Sequence, residues 1–346
     1  MPYDPQTPKF FFPTEETSVN PKFRQPDTQQ FNLDIQRRFW NNLFAQVAYV
    51  GGVSHHLYDA RELNAAVFGP GATEANAQSR RPILPQYYSD IPGLFSDANS
   101  NYHSLQAQVQ KTFSQHYTVQ GPYTWGRSID NRSATTIDNN SESAQDPNHW
   151  FCRCERAASD FNVTHILSVN GLWDLPALSG RGFLTGIAGG WRIAGIFRYN
   201  TGQPLNIIVG QDIPLIGGSR TNGNSERPNL VGNPTLSKSR SRQAQALEYF
   251  NTAAFATPAS GTFGTVARNS VVGPGVLTND ISLNKSFPLF GDKGKLGFRA
   301  DLFNLLNWTN LNAPNNTLVS GQFGQIQSAG NGGDQRIAQF ALRYDF

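Results

Sequence analysis

The final eleven residues, Arg336 to Phe346, alternate. Ala338, Phe340, Leu342, Tyr344 and Phe346 fall on one side of a two-residue period; Ile337, Gln339, Ala341, Arg343 and Asp345 fall on the other. A strand of this period has one apolar and one mostly polar face. Eight further segments alternate, at about 28–38, 42–53, 101–113, 116–126, 162–174, 190–202, 278–287 and 295–307. They run longer than the ~5–6 residues of soluble strands and match the ~9–11 that cross a bilayer with tilt. In 101–113, Leu105, Ala107, Val109 and Phe113 oppose Gln106, Gln108, Gln110 and Thr112, with Lys111 breaking the apolar side. In 295–307, Leu296, Phe298, Ala300 and Leu302 oppose Gly297, Arg299, Asp301 and Phe303. In 190–202, Trp191 and Tyr199 sit near the two ends of the apolar side, where interfacial aromatics belong.

The connections sort into two kinds. Arg38 to Asn42, Ser114 to His116 and Pro288 to Gly294 are short, and 175–189 is intermediate. Between them lie long polar stretches at about 54–100, 127–161, 203–277 and 308–335. Long and short alternate strictly, as in outer-membrane barrels, with short periplasmic turns and long extracellular loops. With Phe346 ending in the periplasm, every long stretch falls outside. The expected fold is all-β: an antiparallel meander of long transmembrane strands, part of an outer-membrane β-barrel. Nine strands is an odd number, whereas single-chain bacterial barrels have even ones. Pro204 to Gly210 (PLNIIVG) is a weak tenth candidate.

Composition agrees. Charged residues make up 15% and aromatics 12%, and mean hydropathy is −0.44. No stretch offers the ~18 uncharged apolar residues of a membrane helix; Ala177 to Phe197 comes nearest and is broken by Arg181 and Arg192. The net charge of +3 is dispersed. Its densest cluster, Lys238, Arg240 and Arg242 among serines, suits a solvated loop better than a nucleic-acid patch. Met1 is followed by PYDPQTPKFFFPTEE, which has neither the basic nor the apolar region of a signal peptide. The expectation is a loop-like segment over 1–27 and the C-terminal portion of a barrel over 28–346, with signal peptide and plug domain absent.

Candidate chemistry is sparse. His149, Cys152 and Cys154 form H-x-x-C-x-C, short of the four ligands of a structural metal site, and two loop thiols is the better reading. His55 and His56 open a long stretch and, being adjacent, point opposite ways. His165 shares its strand with Asn162 and Asn170 and suits a structural role. Neither GPG at 273–275 nor GNGG at 330–333 sits between a strand and a helix as a phosphate loop requires. The sequence thus reads as a non-enzyme with no catalytic residue, cofactor or metal. Arg299 with Asp301, and Arg343 with Asp345, share polar faces of neighbouring strands. A salt-bridge ladder across those strands, lining a polar lumen, is the expected arrangement.

Several segments, in order, resemble the barrel of Oar-like TonB-dependent transporters of the kind common in Acidobacteria. NPKFRQP at 20–26, AYVGGVSHHL at 48–57 and NSNYHSLQAQVQKTFS at 99–114 begin the likeness. SDFNVTHILSVNGLWDLP at 159–176, GGWRIAGIFRYNTGQP at 189–204 and RPNLVGNP at 227–234 continue it. GTFGTVARNSVVGPGVLTNDISLNKSFPL at 261–289 and FRADLFNLLNWTNLNAPNNTL at 298–318 complete it. The resemblance implies residence in the cell outer membrane and energy-coupled uptake of a substrate. It implies contact with outer-membrane lipid through Phe340, Leu342, Tyr344 and Phe346, and recognition of the terminal aromatic by the barrel-assembly machinery. It further implies an N-terminal barrel half and a plug encoded upstream, TonB being reached only through that plug. A stand-alone porin-like pore or a surface adhesin is the alternative.

Overall fold

The structure, a computed structural model, describes residues 11–39, 42–113, 116–133, 146, 155–176, 187–217, 226–288, 294–330 and 335–346. Nine long strands form its wall. They are β1 (Asp27–Phe39), β2 (Leu43–Glu62), β3 (Pro92–Phe113), β4 (Tyr117–Asp130) and β5 (His165–Asp174). β6 (Arg192–Asn200), β7 (Val276–Pro288), β8 (Lys295–Phe303) and β9 (Ile337–Asp345) follow. Each pairs antiparallel with its neighbour in sequence, so the sheet is one uninterrupted meander. Among the described residues β1 and β9 are its edges and do not pair with each other.

The register carries the alternation across the whole wall. Ile35, Val47, Ala107, Tyr123, Leu167, Tyr199 and Leu277 stand side by side from β1 to β7. Leu283, Ala300 and Phe340 do the same from β7 to β9. On the opposite face Gln46 lies between Gln36 and Gln108. A one-residue slip would exchange the faces, so the shared pattern pins the register. Along β2 to β4 side chains crowd on the polar face, where Ala48 is 6% and Ser104 3% exposed. They splay on the apolar face, where Val109 keeps 51% exposure. A curved sheet does this when the polar face is concave, as in a barrel with a polar interior.

Several boundaries differ from the sequence expectation. β2 and β3 stay paired beyond the apolar band, up to Glu62↔Pro92, so the connection is 63–91 rather than 54–100. Register shifts between Ser54 and Asp59 mark a bulge there, and His56 has φ 57°. His55 and His56 therefore sit at a bulge within a strand, not at the start of a loop, and the bulge breaks the period that pattern reading relies on. β8 stops at Phe303 instead of 307, because Asn304 turns to φ 48° and its Oδ1 accepts from Trp308 N. The tenth candidate does not join the wall. Only Pro204–Leu205 is a strand, paired with Val271–Val272.

That segment belongs to a second layer, a body built from the long connections. Ile207, Phe250, Ala254, Phe255, Val266 and Val271 form its core. Phe250, Phe255 and Phe323 meet edge-to-face, with centroids 5.1 to 5.7 Å apart. Two glycines let backbones approach closely. A Cβ on Gly264 would lie 1.9 Å from Arg227 O, and one on Gly202 1.9 Å from Gly273 O.

One cation interrupts the apolar face. Lys285 stands in the row of Ile281, Leu283 and Phe287, yet only 6% of it is exposed. Its ammonium donates to Ile187 O at 2.8 Å and to Gly189 O, in the turn before β6. The rings of Trp191 and Phe287 flank it at 5.3 and 5.0 Å. The long stem lies on apolar surface while the charge reaches the short-turn end.

The face assignment gives adjacent residues opposite sensitivities. Ala107→Arg, mid-strand on the convex face, is expected to lower folding stability in lipid vesicles by about 2–4 kcal/mol, whereas Gln108→Arg on the concave face changes it little. Guanidinium unfolding in vesicles measures both, and equal effects would contradict the assignment.

Candidate functional site at the long-loop end

The body of long connections is tied to the wall by buried charge. Arg61 bonds Asp59 at 2.7 Å and also contacts Asp97. Arg132 Nε reaches the other Asp59 oxygen at 2.5 Å and lies 3.7 Å from Glu155. Arg227 grips Glu155 bidentately, at 2.9 and 2.7 Å. Arg268 donates to Glu155 O and Asp130 O, both at 3.0 Å, and pairs with the carboxylates of Asp130 and Asp160. The side chains of Asp59, Arg61, Asp130, Arg132, Glu155, Arg227 and Arg268 are no more than 6% exposed. The chain of charge joins the tops of β2, β3 and β4 to two of the long connections. Arg81 adds a parallel tie, lying 3.8 Å from Glu62 of β2 and donating to Gly217 O at 3.4 Å.

Neutral groups complete the attachment. Asn162 accepts from Ser128 N at 2.7 Å, so 162–164 caps β4 and β5 begins only at His165. Asn310 both accepts from Leu277 N and donates to Leu277 O, at 2.8 and 2.9 Å, which caps β7. Ala66 N donates to Ile216 O and Ile208 N to Asn316 O, so connections far apart in sequence interlock.

Two neighbouring clefts lie where this body meets the apolar face of the wall. One, of about 730 Å³, is lined by Tyr199 and Leu277 from the wall and by Lys238, Arg242, Tyr249 and Trp308 from the body. Arg242 lies over the Trp308 ring at 4.3 Å. Burial pushes the Tyr249 phenol up to about 12, so it stays neutral and donates to Val272 O at 3.2 Å. The other cleft, of about 570 Å³, is lined by Tyr49, Leu105 and Trp125. Two matching polar pairs punctuate the apolar face. Tyr49 Oη bonds His103 Nδ1 at 2.7 Å, and Tyr123 Oη bonds His165 Nδ1 at 2.8 Å. In both, the Tyr opposes a Leu and the His precedes that Leu by two residues.

The residues singled out from sequence are placed as follows. Phe340, Leu342 and Tyr344 share the apolar face of β9, and Phe346 follows its last residue. Phe340 stacks on Phe298 at 6.4 Å and Tyr344 on Phe346 at 6.1 Å. The expected ladder between Arg299, Asp301, Arg343 and Asp345 is not formed. Arg299 opposes Ala341 and Asp301 opposes Gln339. Each pair closes within its own strand instead, Arg299–Asp301 at 2.8 Å and Arg343–Asp345 at 2.7 Å. Neighbours two apart share a face, and the register offers neither arginine a facing carboxylate. His149, Cys152 and Cys154 lie outside the described residues, as do parts of all three short connections.

A family model described as "Outer membrane beta barrel domain" matches residues 2–339. Among solved structures, the outer membrane transporter YddB from Escherichia coli matches at 13% identity and a TM-score of 0.48, over 96% of this chain and 34% of that one. This chain thus spans about a third of that transporter's length. No curated protein matches.

Breaking the buried chain should loosen the loop body and spare the wall. Arg227→Ala leaves Glu155 buried without its bidentate partner, a loss of about 3–5 kcal/mol. Limited proteolysis in detergent is expected to cut within 203–275 much faster than in the native protein, while the strands stay protected. Equal cutting rates would contradict the tie.

Proposed function

We propose that this chain, which belongs to the outer membrane beta barrel domain family, forms part of the wall of an Oar-like, TonB-dependent transporter for energy-coupled uptake. Its place is the outer membrane. The observation that carries the reading is a body of long connections that buried ion pairs lock onto the strand ends. A simple pore has no need of so ordered a body. A transporter does, because the first contact with a scarce substrate is made outside and then handed inward. The motifs collinear with Oar-like barrels support the same reading. In this arrangement lipid meets the apolar face, Phe346 is the mark read during assembly, and the TonB contact is made by a plug.

The competing reading is a passive pore or an adhesin. Uptake in the source cell separates them. Cells carrying or lacking the gene are given labelled oligosaccharides and peptides, with and without a protonophore. The expected result is gene-dependent accumulation that the protonophore abolishes. Gene-dependent entry at an unchanged rate with the protonophore would establish a pore. Surface binding without entry would establish an adhesin.

A further inference from the structure

The basic cluster among serines has a setting that its sequence does not suggest. Lys238 and Arg242 line the larger cleft together with Tyr199 and Leu277, which belong to the outward apolar row. They therefore stand at the upper rim of the apolar face. Among the described residues no Asp or Glu lines that cleft. Among the described residues neither Lys238 nor Arg242 has an ion-pair partner, and Arg242 instead covers Trp308. Arg240, by contrast, is spent on the backbone, donating to Ser237 O, Glu248 O and Tyr249 O at 3.0, 2.7 and 3.1 Å. Gln245 is likewise occupied, donating to Arg240 O at 2.7 Å.

Lys238 and Arg242 are thus donors awaiting an acceptor. Ammonium and guanidinium groups carry no lone pair to accept with, and both bind phosphate oxygens well. The adjoining cleft shares Thr164, Gly202 and Val272 with this one, carries Arg127, and turns apolar toward Leu105 and Trp125. A cationic recess that continues into an apolar one, at the height of interfacial aromatics, matches the two halves of an amphiphile.

We propose that this rim cleft binds the phosphate-bearing, net-negative headgroup of an outer-leaflet lipid, with its acyl chains against Leu105 and Trp125. The proposal rests on the reading that the apolar face meets lipid, and it is independent of what the barrel transports. Charge complementarity selects the headgroup, and continuity with the apolar row selects a lipid over a soluble anion.

The test uses the full chain, refolded in a neutral detergent and incubated with equimolar phosphatidylglycerol and phosphatidylcholine of identical acyl chains. Native mass spectrometry counts the lipid retained. Phosphatidylglycerol is expected to be retained preferentially, and a Lys238→Gln, Arg242→Gln double variant to lose that preference by roughly tenfold. Phosphatidylcholine retention and heat-modifiable gel mobility should stay as in the native protein. The single variants serve if the double variant loses its heat shift. An unchanged preference in the variants overturns the proposal. So does displacement of the lipid by inorganic phosphate alone at low millimolar concentration, which would mark a soluble-anion site. Neither outcome bears on protonophore-sensitive uptake, so the two readings fail separately.

Discussion

Inside a hydrocarbon layer every backbone N–H and C=O must find its partner within protein. That constraint shapes the wall. Each strand from β2 to β8 is bonded on both sides by its neighbours in sequence, and the meander needs only short turns at one end. The same constraint makes β1 and β9 the demanding elements. Both are long and exposed, and each offers a row of backbone groups on its outer edge. Within a membrane these rows call for further pairing.

Above the hydrocarbon the constraint relaxes, and different physics takes over. The long connections do not lie as separate loops. They fold on one another around three phenylalanines and are fixed to the strand ends by alternating arginines and carboxylates. Buried ion pairs add little net stability over apolar packing, but removing one partner is costly. Their effect here is to specify one arrangement. The bidentate Arg227–Glu155 pair and the fork of Arg268 admit few alternatives. A wall with two open edges is thereby joined to a cap of one defined arrangement.

The wall was legible in the sequence and the cap was not, for physical reasons. Alternation appears wherever two faces of a strand meet different surroundings, so Leu105 and Gln106 disclose their sides locally. Above the band both sides of the β2–β3 extension mix apolar and polar residues, as adjacent Leu94 and Phe95 do, the bulge at His55 and His56 resets the period, and the strands run on unseen. The charged ties join residues far apart in sequence: Arg227 and Glu155 are 72 positions apart, Arg268 and Asp130 are 138. No local window holds both partners. Ile207 and Val209, wholly buried, gave a strand-like run that serves the cap's interior. The charges of β8 and β9 show the same limit on a small scale. Their shared face was visible, but the choice between Asp301 and a neighbouring strand's carboxylate depended on register.

Transport through the polar side and lipid binding on the apolar side both depend on the assignment of faces, and spin labelling along β3 tests it most directly. Cys152 and Cys154 are replaced by serine, and single cysteines at positions 103 to 112 are labelled and reconstituted in lipid vesicles. Oxygen, which partitions into hydrocarbon, should relax the labels at 105, 107 and 109 strongly and those at 106, 108 and 110 weakly. A water-soluble nickel chelate should show the opposite period. Accessibility without a two-residue period, or with the two sets exchanged, would contradict a lipid-facing apolar row.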